Sequence, residues 1–217
     1  ESTLEARKVW FDQTVQRLNS DERGRLVGSF KGEDRLLIAS NNGTLKVVVP
    51  ELSLHFDSDM VYLEKLEMNR PISAVYFDGE KGRYFVKRFD WEGGDKEINI
   101  ITAHPKSELS YLSNASSPVI QMVYRKLGGD VREPERVVLS DFISVKGIAA
   151  KGNQLTIETL NKVVGLDPLP EQEPQLVVEE MASMDNPVIE EIVEEDTSSD
   201  EKPFTGEDEP PQITLDF

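Results

Sequence analysis

Arg17, Arg23, Arg25, Lys46, Arg83, Lys87, Arg88, Arg125, Lys126, Lys146 and Lys151 lie on or beside the ends of short apolar runs. Cations in such places can neutralise phosphate oxygens and hold a polyanion without reading a base sequence. Set along a curved edge, they favour a polyanion that bends. Strand-end Lys and Arg also act as solvated guards against edge-to-edge aggregation, and composition alone favours that use. Other chemistry finds little support. The chain has no cysteine, and its two histidines, His55 and His104, are far apart in sequence, so neither a disulfide nor a zinc site is expected. Asp12, Asp57, Asp59, Asp78 and Glu80 show no calcium-loop spacing and read as turn caps. Gly24, Gly28, Gly128 and Gly129 form no phosphate-cradling motif. Trp10, Phe11, Tyr76, Phe77, Tyr84, Phe85 and Phe89 alternate as strand residues do and read as core, not as base-stacking platforms.

The elements that must position the cations are strands. The most informative stretch is 73–90, SAVYFDGEKGRYFVKRFD. An apolar run, Ala74 to Phe77, meets a turn at Asp78-Gly79-Glu80-Lys81-Gly82, and an alternating run follows from Tyr84 to Phe89. This is the pattern of a hairpin, with a packed face and a cationic rim from Arg83, Lys87 and Arg88. A second hairpin is expected over 35–49, turning at Asn41-Asn42-Gly43 and stopped by Pro50. Further strands are expected at 9–11, 14–18, 26–30, 60–66, 97–102, 109–112, 119–124, 137–139 and 142–146. Residues 155–164 fit a last strand or a short helix. Ten to thirteen short strands with frequent turns indicate an all-β domain. The order apolar strand, glycine turn, strand with lysine recurs at 36–46 and 74–87 and more loosely at 143–155. A period near 40–50 residues is that of a propeller.

The net charge of −17 is unevenly spread. Residues 168–217 hold 16 Asp and Glu and one Lys, whereas residues 1–167 hold 25 acids and 23 Lys and Arg. The body is nearly neutral and free to carry a basic face; the remainder is a polyanion rich in Pro and poor in apolar residues, expected to be disordered. Two regions follow: a β body, 1–167, and an acidic tail, 168–217. No apolar run approaches the roughly 20 residues of a membrane span, and no signal peptide is legible. The opening Glu1 reads as a processed chain or a fragment, and a cytoplasmic setting is expected.

Four stretches, 9–28 (VWFDQTVQRLNSDERGRLVG), 71–89 (PISAVYFDGEKGRYFVKRF), 101–109 (ITAHPKSEL) and 141–156 (DFISVKGIAAKGNQLT), resemble in content and order the C-terminal domain of bacterial type IIA DNA topoisomerase A subunits, in its Bacteroidota form. The ending LDPLPEQEP, 166–174, before an acidic run is similar too. The resemblance spans roughly 7–174. It implies a β-pinwheel, a propeller-like disc whose blades exchange strands, with a basic rim that binds and bends double-stranded DNA. It also implies a chain without catalysis or cofactor of its own, partnered by the rest of the A subunit and by the B subunit in a nucleoid-associated holoenzyme that uses ATP and Mg²⁺. One departure stands out. Gyrase A subunits carry a basic glycine run close to Gln-Arg-Arg-Gly-Gly-Lys-Gly, and here Glu22-Arg23-Gly24-Arg25-Leu26-Val27-Gly28 is at best a degenerate echo. That points toward topoisomerase IV, or toward a fragment of about four blades that lacks the motif.

The tail admits a solubilising role or competition with DNA for the rim. Within it, Gln212, Ile213, Leu215 and Phe217 resemble the sliding-clamp binding motif of bacterial replication proteins. A rival function from another class is a propeller for protein–protein interaction with the tail as its docking segment.

Overall fold

A computed structural model describes residues 5–171 except 127 and 129–131. These belong to one compact unit, Glu1–Pro174. The start of the expected disordered tail is instead ordered, with Leu169 N–H donating to Ser117 O at 2.9 Å and Glu171 held by Arg70 and Ser116, while the rest of the tail and its candidate clamp motif lie outside the described residues.

The fold is nearly all β, with four antiparallel sheets. Sheet 1 is β1 (Arg7–Asp12), β2 (Arg17–Asn19) and β3 (Arg25–Phe30). Sheet 2 is built on the hairpin β4 (Leu36–Ser40) and β5 (Thr44–Val48), flanked by β6 (Met60–Lys65) and β9 (Ile98–Asn99). Sheet 3 is built on β7 (Ile72–Asp78) and β8 (Arg83–Phe89), flanked by β10 (Glu108–Ser113) and β13 (Asn153–Gln154). Sheet 4 is β11 (Val119–Tyr124), β12 (Glu135–Val138) and β14 (Leu160–Leu166). Among the described residues the single helical turn is α1 (Leu139–Phe142).

One rule generates all four sheets. Two successive strands form a hairpin, and a later strand returns to the first strand's free edge: β3 to β1, β6 to β4, β10 to β7 and β14 to β11. A short strand from beyond the next hairpin then covers the second strand. Thus β9 pairs with β5 and β13 with β8, and His55 makes a single bridge to Arg17 of β2. Each crossing segment delivers one buried apolar residue, Phe56, Ile100 or Leu155. Each of these also donates its N–H back to the covered strand or its turn, to Gln16 O at 3.1 Å, Gly43 O at 2.9 Å and Tyr84 O at 2.9 Å.

Three apolar clusters bind the sheets in series. Val9, Phe11 and Leu18 of sheet 1 meet Leu36, Ile38 and Leu63 of sheet 2. Leu37, Leu45 and Val47 meet Ile72, Tyr76, Phe85 and Phe89 of sheet 3. Val75 and Val86 meet Ile120, Met122 and Leu160 of sheet 4. Sheets 2 and 3 are therefore packed on both faces, which is why β4 and β7 read as unbroken apolar runs and not as alternation. The returning strands come together at one place: Val27 and Gly28, Tyr62 and Lys65, Tyr111 and Leu112, and Leu166 all line one cavity of about 480 Å³.

Both expected hairpins form. Gly43 (φ +83°) closes the turn before β5, and an added Cβ there would strike the Ile101 side chain. Other expectations are corrected. The strand over 142–146 is replaced by α1 and an irregular segment, because Leu139 and Ile143 turn inward into the core between sheets 3 and 4. The loose third repeat over 143–155 is not a hairpin but the approach to the crossing strand β13. The run 97–102 keeps only two strand residues, and the helix alternative for 155–164 gives way to β14. The hairpins start at Arg7, Leu36, Ile72 and Val119, so the unit length varies with what is inserted between them.

Candidate nucleic-acid interface

The densest gathering of cations surrounds the turn between β7 and β8. Asp78 builds this turn. Its carboxylate is fully buried, and its Oδ1 accepts the N–H groups of Glu80 at 3.0 Å and Lys81 at 3.1 Å. Its Oδ2 lies 3.0 Å from Lys151 Nζ. Burial alone would raise the Asp78 pKa, but Lys151 and the two backbone donors outweigh it and hold the carboxyl below its ordinary value. Lys151 is fixed further by its own carbonyl, which accepts the Tyr76 hydroxyl at 2.9 Å. Its ammonium stands 5.3 Å from the centre of the Phe85 ring, and Lys81 approaches the same ring at 5.8 Å.

Arg83 opens β8 and shares a cleft of about 340 Å³ with Arg125, where sheet 3 meets sheet 4. Phe77 and Tyr84 form one wall, and Glu108 and Glu158 temper the charge. Arg125 is anchored by its N–H to Thr159 O at 3.0 Å, and Lys126 beside it is exposed. On the other side of the turn, Gly79 sits against His104 and Lys106 so closely that an added Cβ would overlap both. Lys81, Arg83, Lys106, Arg125 and Lys151 thus converge from four separate stretches of chain. Lys81 and Lys106 were missed in the sequence. Their signal was present, because both lie in turn-rich segments, but nothing local says that the two turns meet.

The remaining candidates are placed elsewhere. Arg17 is exposed on β2. Arg23 makes an exposed ion pair with Asp21 at 3.4 Å, and the Arg25 guanidinium donates to Leu63 O at 2.7 Å. Their loop is organised by buried Asn19, whose Oδ1 accepts from Asp21 and Arg23 N–H and whose Nδ2 donates to Arg23 O. Gly24 (φ +83°) is required by packing: a Cβ would run into the Phe11 carbonyl. Lys46 pairs with Glu97 at 3.5 Å, and Lys146 donates to Asn153 Oδ1 at 3.3 Å.

Lys87 and Arg88 are not on a rim. They are 4% and 7% exposed. Lys87 Nζ donates to Ile100 O at 3.0 Å and Ile148 O at 2.7 Å, tying β8 to the two crossing segments. Burial lowers its pKa to about 8. Arg88 donates to Ser73 Oγ at 3.1 Å and Ser116 O at 3.2 Å, with longer contacts to Ser140 O and Ile143 O, and so staples sheet 3 to sheet 4. Burial depresses its pKa as well, opposed by Asp141 and Asp90. The expectation that both belong to the cationic rim fails because the middle of β8 is enclosed on both faces.

The turn-cap reading of the acids is seen directly at Asp78 and at Asp12, which accepts Thr14 N–H at 2.9 Å. Phe11, Tyr76, Phe85 and Phe89 are buried in the core, while Trp10, Phe77 and Tyr84 are half-buried. Among the described residues no group of three His, Asp or Glu is placed to hold a metal ion, and no helix is long and apolar enough to cross a membrane.

The described residues form a nearly all-β repeat of strand-exchanged sheets, with cations gathered at one hairpin end. Its family is given by comparison: a model of the topoisomerase C-terminal domain of Bacteroidota matches residues 17–167, and the chain belongs to that family. No curated protein matches the chain. It is therefore the C-terminal domain of a topoisomerase, with the rest of that enzyme and DNA as partners.

Proposed function

We propose that this chain binds and bends double-stranded DNA for a type IIA topoisomerase, as the C-terminal domain of its A subunit. The observation that carries the reading is the convergence of Lys81, Arg83, Lys106, Arg125 and Lys151 around one exposed hairpin end. These cations offer contacts to phosphates and none to a defined base edge, so affinity is expected to be insensitive to sequence and steeply dependent on salt. Arg17, Arg23, Arg25, Lys46, Lys126 and Lys146 extend the contact surface in the same proposal, and Lys87 and Arg88 leave it. Strand cleavage, with its ATP and Mg²⁺, belongs to other parts of the holoenzyme, including the B subunit, in a cytoplasmic, nucleoid-associated setting.

Without a Gln-Arg-Arg-Gly-Gly-Lys-Gly run in this sequence we take topoisomerase IV over gyrase, with a fragment that lacks the motif-bearing blade as the alternative. A holoenzyme that introduces negative supercoils would overturn that choice. We take 1–167 as the DNA-binding body and 168–217 as an acidic tail that competes with DNA for the cations. The test is binding of a duplex of about 150 bp, one persistence length, by residues 1–174 and by the full chain across a salt series. A steep salt slope with tighter binding by 1–174 at low salt supports both statements. Equal affinities at low salt remove the competing tail, and no binding by either chain removes DNA bending in favour of a protein-interaction module. The sliding-clamp reading of Gln212, Ile213, Leu215 and Phe217 rests on sequence pattern alone. It is abandoned when a peptide of residues 208–217 shows no affinity for the clamp at high micromolar concentration.

A further inference from the structure

A cavity of about 720 Å³ opens at the end of sheet 3 away from the Asp78–Gly82 turn. Asn69, Arg70, Ser116, Ser117 and Ser140 line it with side chains able to donate hydrogen bonds, and Asp141 and Glu171 are its acids. The Glu171 carboxylate is seated there. Its Oε1 lies 2.6 Å from Arg70 Nη2 and accepts the Ser116 hydroxyl at 2.7 Å. The length of β7 separates this place from the hairpin-end cations by roughly 20 Å.

We propose that Arg70, Ser116 and Ser117 form a phosphate-binding site, which Glu171 holds closed in the free chain. None of these residues belongs to the cation cluster at the hairpin end. With duplex DNA as the source of the phosphate, the site rests on the DNA-binding reading.

The body builds the site. Buried Asn114 shapes the loop that carries Arg70: its Oδ1 accepts Glu67 N–H at 2.6 Å and its Nδ2 donates to Arg70 O at 2.8 Å. Arg70 N–H returns to Glu67 O at 3.1 Å. Behind the serines, the enclosed Arg88 donates to Ser116 O at 3.2 Å, so a second guanidinium backs the pocket, with Asp141 countering part of its charge. A guanidinium fork flanked by hydroxyls is suited to taking several oxygens of one phosphate together.

Glu171 fills that arrangement incompletely. One carboxylate oxygen serves both of its partners, and among the described residues the Arg70 side chain makes no other hydrogen bond or ion pair. The remaining guanidinium donors and the Ser117 hydroxyl are left for further oxygens. The carboxylate is delivered by a short strap after β14, in which Pro168 and Pro170 stiffen the chain and Leu169 N–H donates to Ser117 O at 2.9 Å. The Ser116 hydroxyl and Arg70 hold the Glu171 carboxyl below its ordinary pKa. Yet the two side chains of the pair are 53% and 33% exposed. An ion pair so open to water is weak, and a phosphate that meets the fork with two oxygens displaces it.

The experiment uses the full chain and its variants Glu171→Gln, Arg70→Gln and the two together. Each is titrated at low salt with a DNA duplex and, separately, with inorganic phosphate, while the amide resonances of Arg70, Ser116 and Ser117 are followed; the same spectra show that each variant is folded. Glu171→Gln is expected to tighten binding about threefold, the scale of one exposed ion pair. The gain should vanish when Arg70 is also replaced, whereas a general effect of removing one negative charge would persist. A gain toward the duplex identifies a backbone phosphate, and a gain toward inorganic phosphate alone identifies a free anion. No gain toward either, or a gain that survives Arg70→Gln, overturns the site. A full chain that binds DNA as tightly as Glu171→Gln, with no phosphate response in either, removes the site and leaves the DNA-binding reading intact. Failure of every chain to bind DNA removes that reading, and the phosphate titration then decides the site.

Discussion

β8 carries two kinds of cation within six residues. Arg83, at the hairpin end, is half-buried, faces a cleft with Arg125, and has no side-chain hydrogen bond or ion pair among the described residues. Lys87 and Arg88, further along, are enclosed and committed to carbonyl and hydroxyl oxygens of the neighbouring segments. The residue types are the same and the strand is the same. What differs is that the hairpin end projects beyond the sheets while the middle of the strand is sandwiched between them. A buried cation must be satisfied by the protein itself, so it becomes a structural tie. Only the cation at the end keeps donors free for a ligand.

The comparison can be broken at its buried end first. Arg88→Leu removes a desolvated guanidinium and strands the oxygens it serves, at a cost of about 3 kcal/mol in chemical denaturation. A loss below about 1 kcal/mol would mean that the staple between sheets 3 and 4 is ornamental. Gly152→Ala attacks the same strand from its crossing partner. At φ +90° the new Cβ meets the Val86 carbonyl, and a loss of about 2 kcal/mol is expected from strain and overlap.

Lys87→Met should cost about 1–3 kcal/mol, because two carbonyls lose their donor. Its pH behaviour is more telling. The folded pKa is lowered to about 8 from an ordinary value of 10.5, so between these values the unfolded chain binds more protons than the folded one. Stability contributed by this group therefore rises with pH through that window and is lowest below it. In Lys87→Met the rise should vanish, and a wild-type protein whose stability is flat from pH 8 to 10 would contradict a protonatable, buried Lys87.

The exposed end should respond in the opposite sense. Arg83→Ala and Arg125→Ala are expected to leave the denaturation midpoint unchanged within about 0.5 kcal/mol. Each should lower DNA affinity and reduce the slope of log affinity against log salt by roughly one. If Arg83→Ala unfolds the domain and spares DNA binding, the two ends of β8 have been assigned the wrong way round.

Much of the fold was legible. Asp78 to Gly82 and Asn41 to Gly43 are turn chemistry between β-rich runs, and both hairpins form there. The short crossing strands were not, because a strand of two residues has no period: Ile98–Asn99 and Asn153–Gln154 are strands only by what they lie against. α1 was hidden likewise, since Leu139 and Ile143 are apolar at a spacing that fits a strand end as well as a turn of helix. At the site, Arg83 and Arg125 were read from their turns. Lys81 and Lys106 were lost because their proximity depends on the contact of Gly79 with His104 and Lys106, 25 or more residues away in sequence.

The sequence by itself determined the β class, the two hairpins, the separation of a nearly neutral body from a polyanionic tail, and the family resemblance, because turn residues, alternation and charge are local quantities. Tertiary structure alone decided which cations face solvent. Alternation says that neighbouring side chains point to opposite faces, but not whether each face meets water or another sheet. In β8 both faces meet another sheet, and that fact turned Lys87 and Arg88 from ligands for phosphate into ties between sheets.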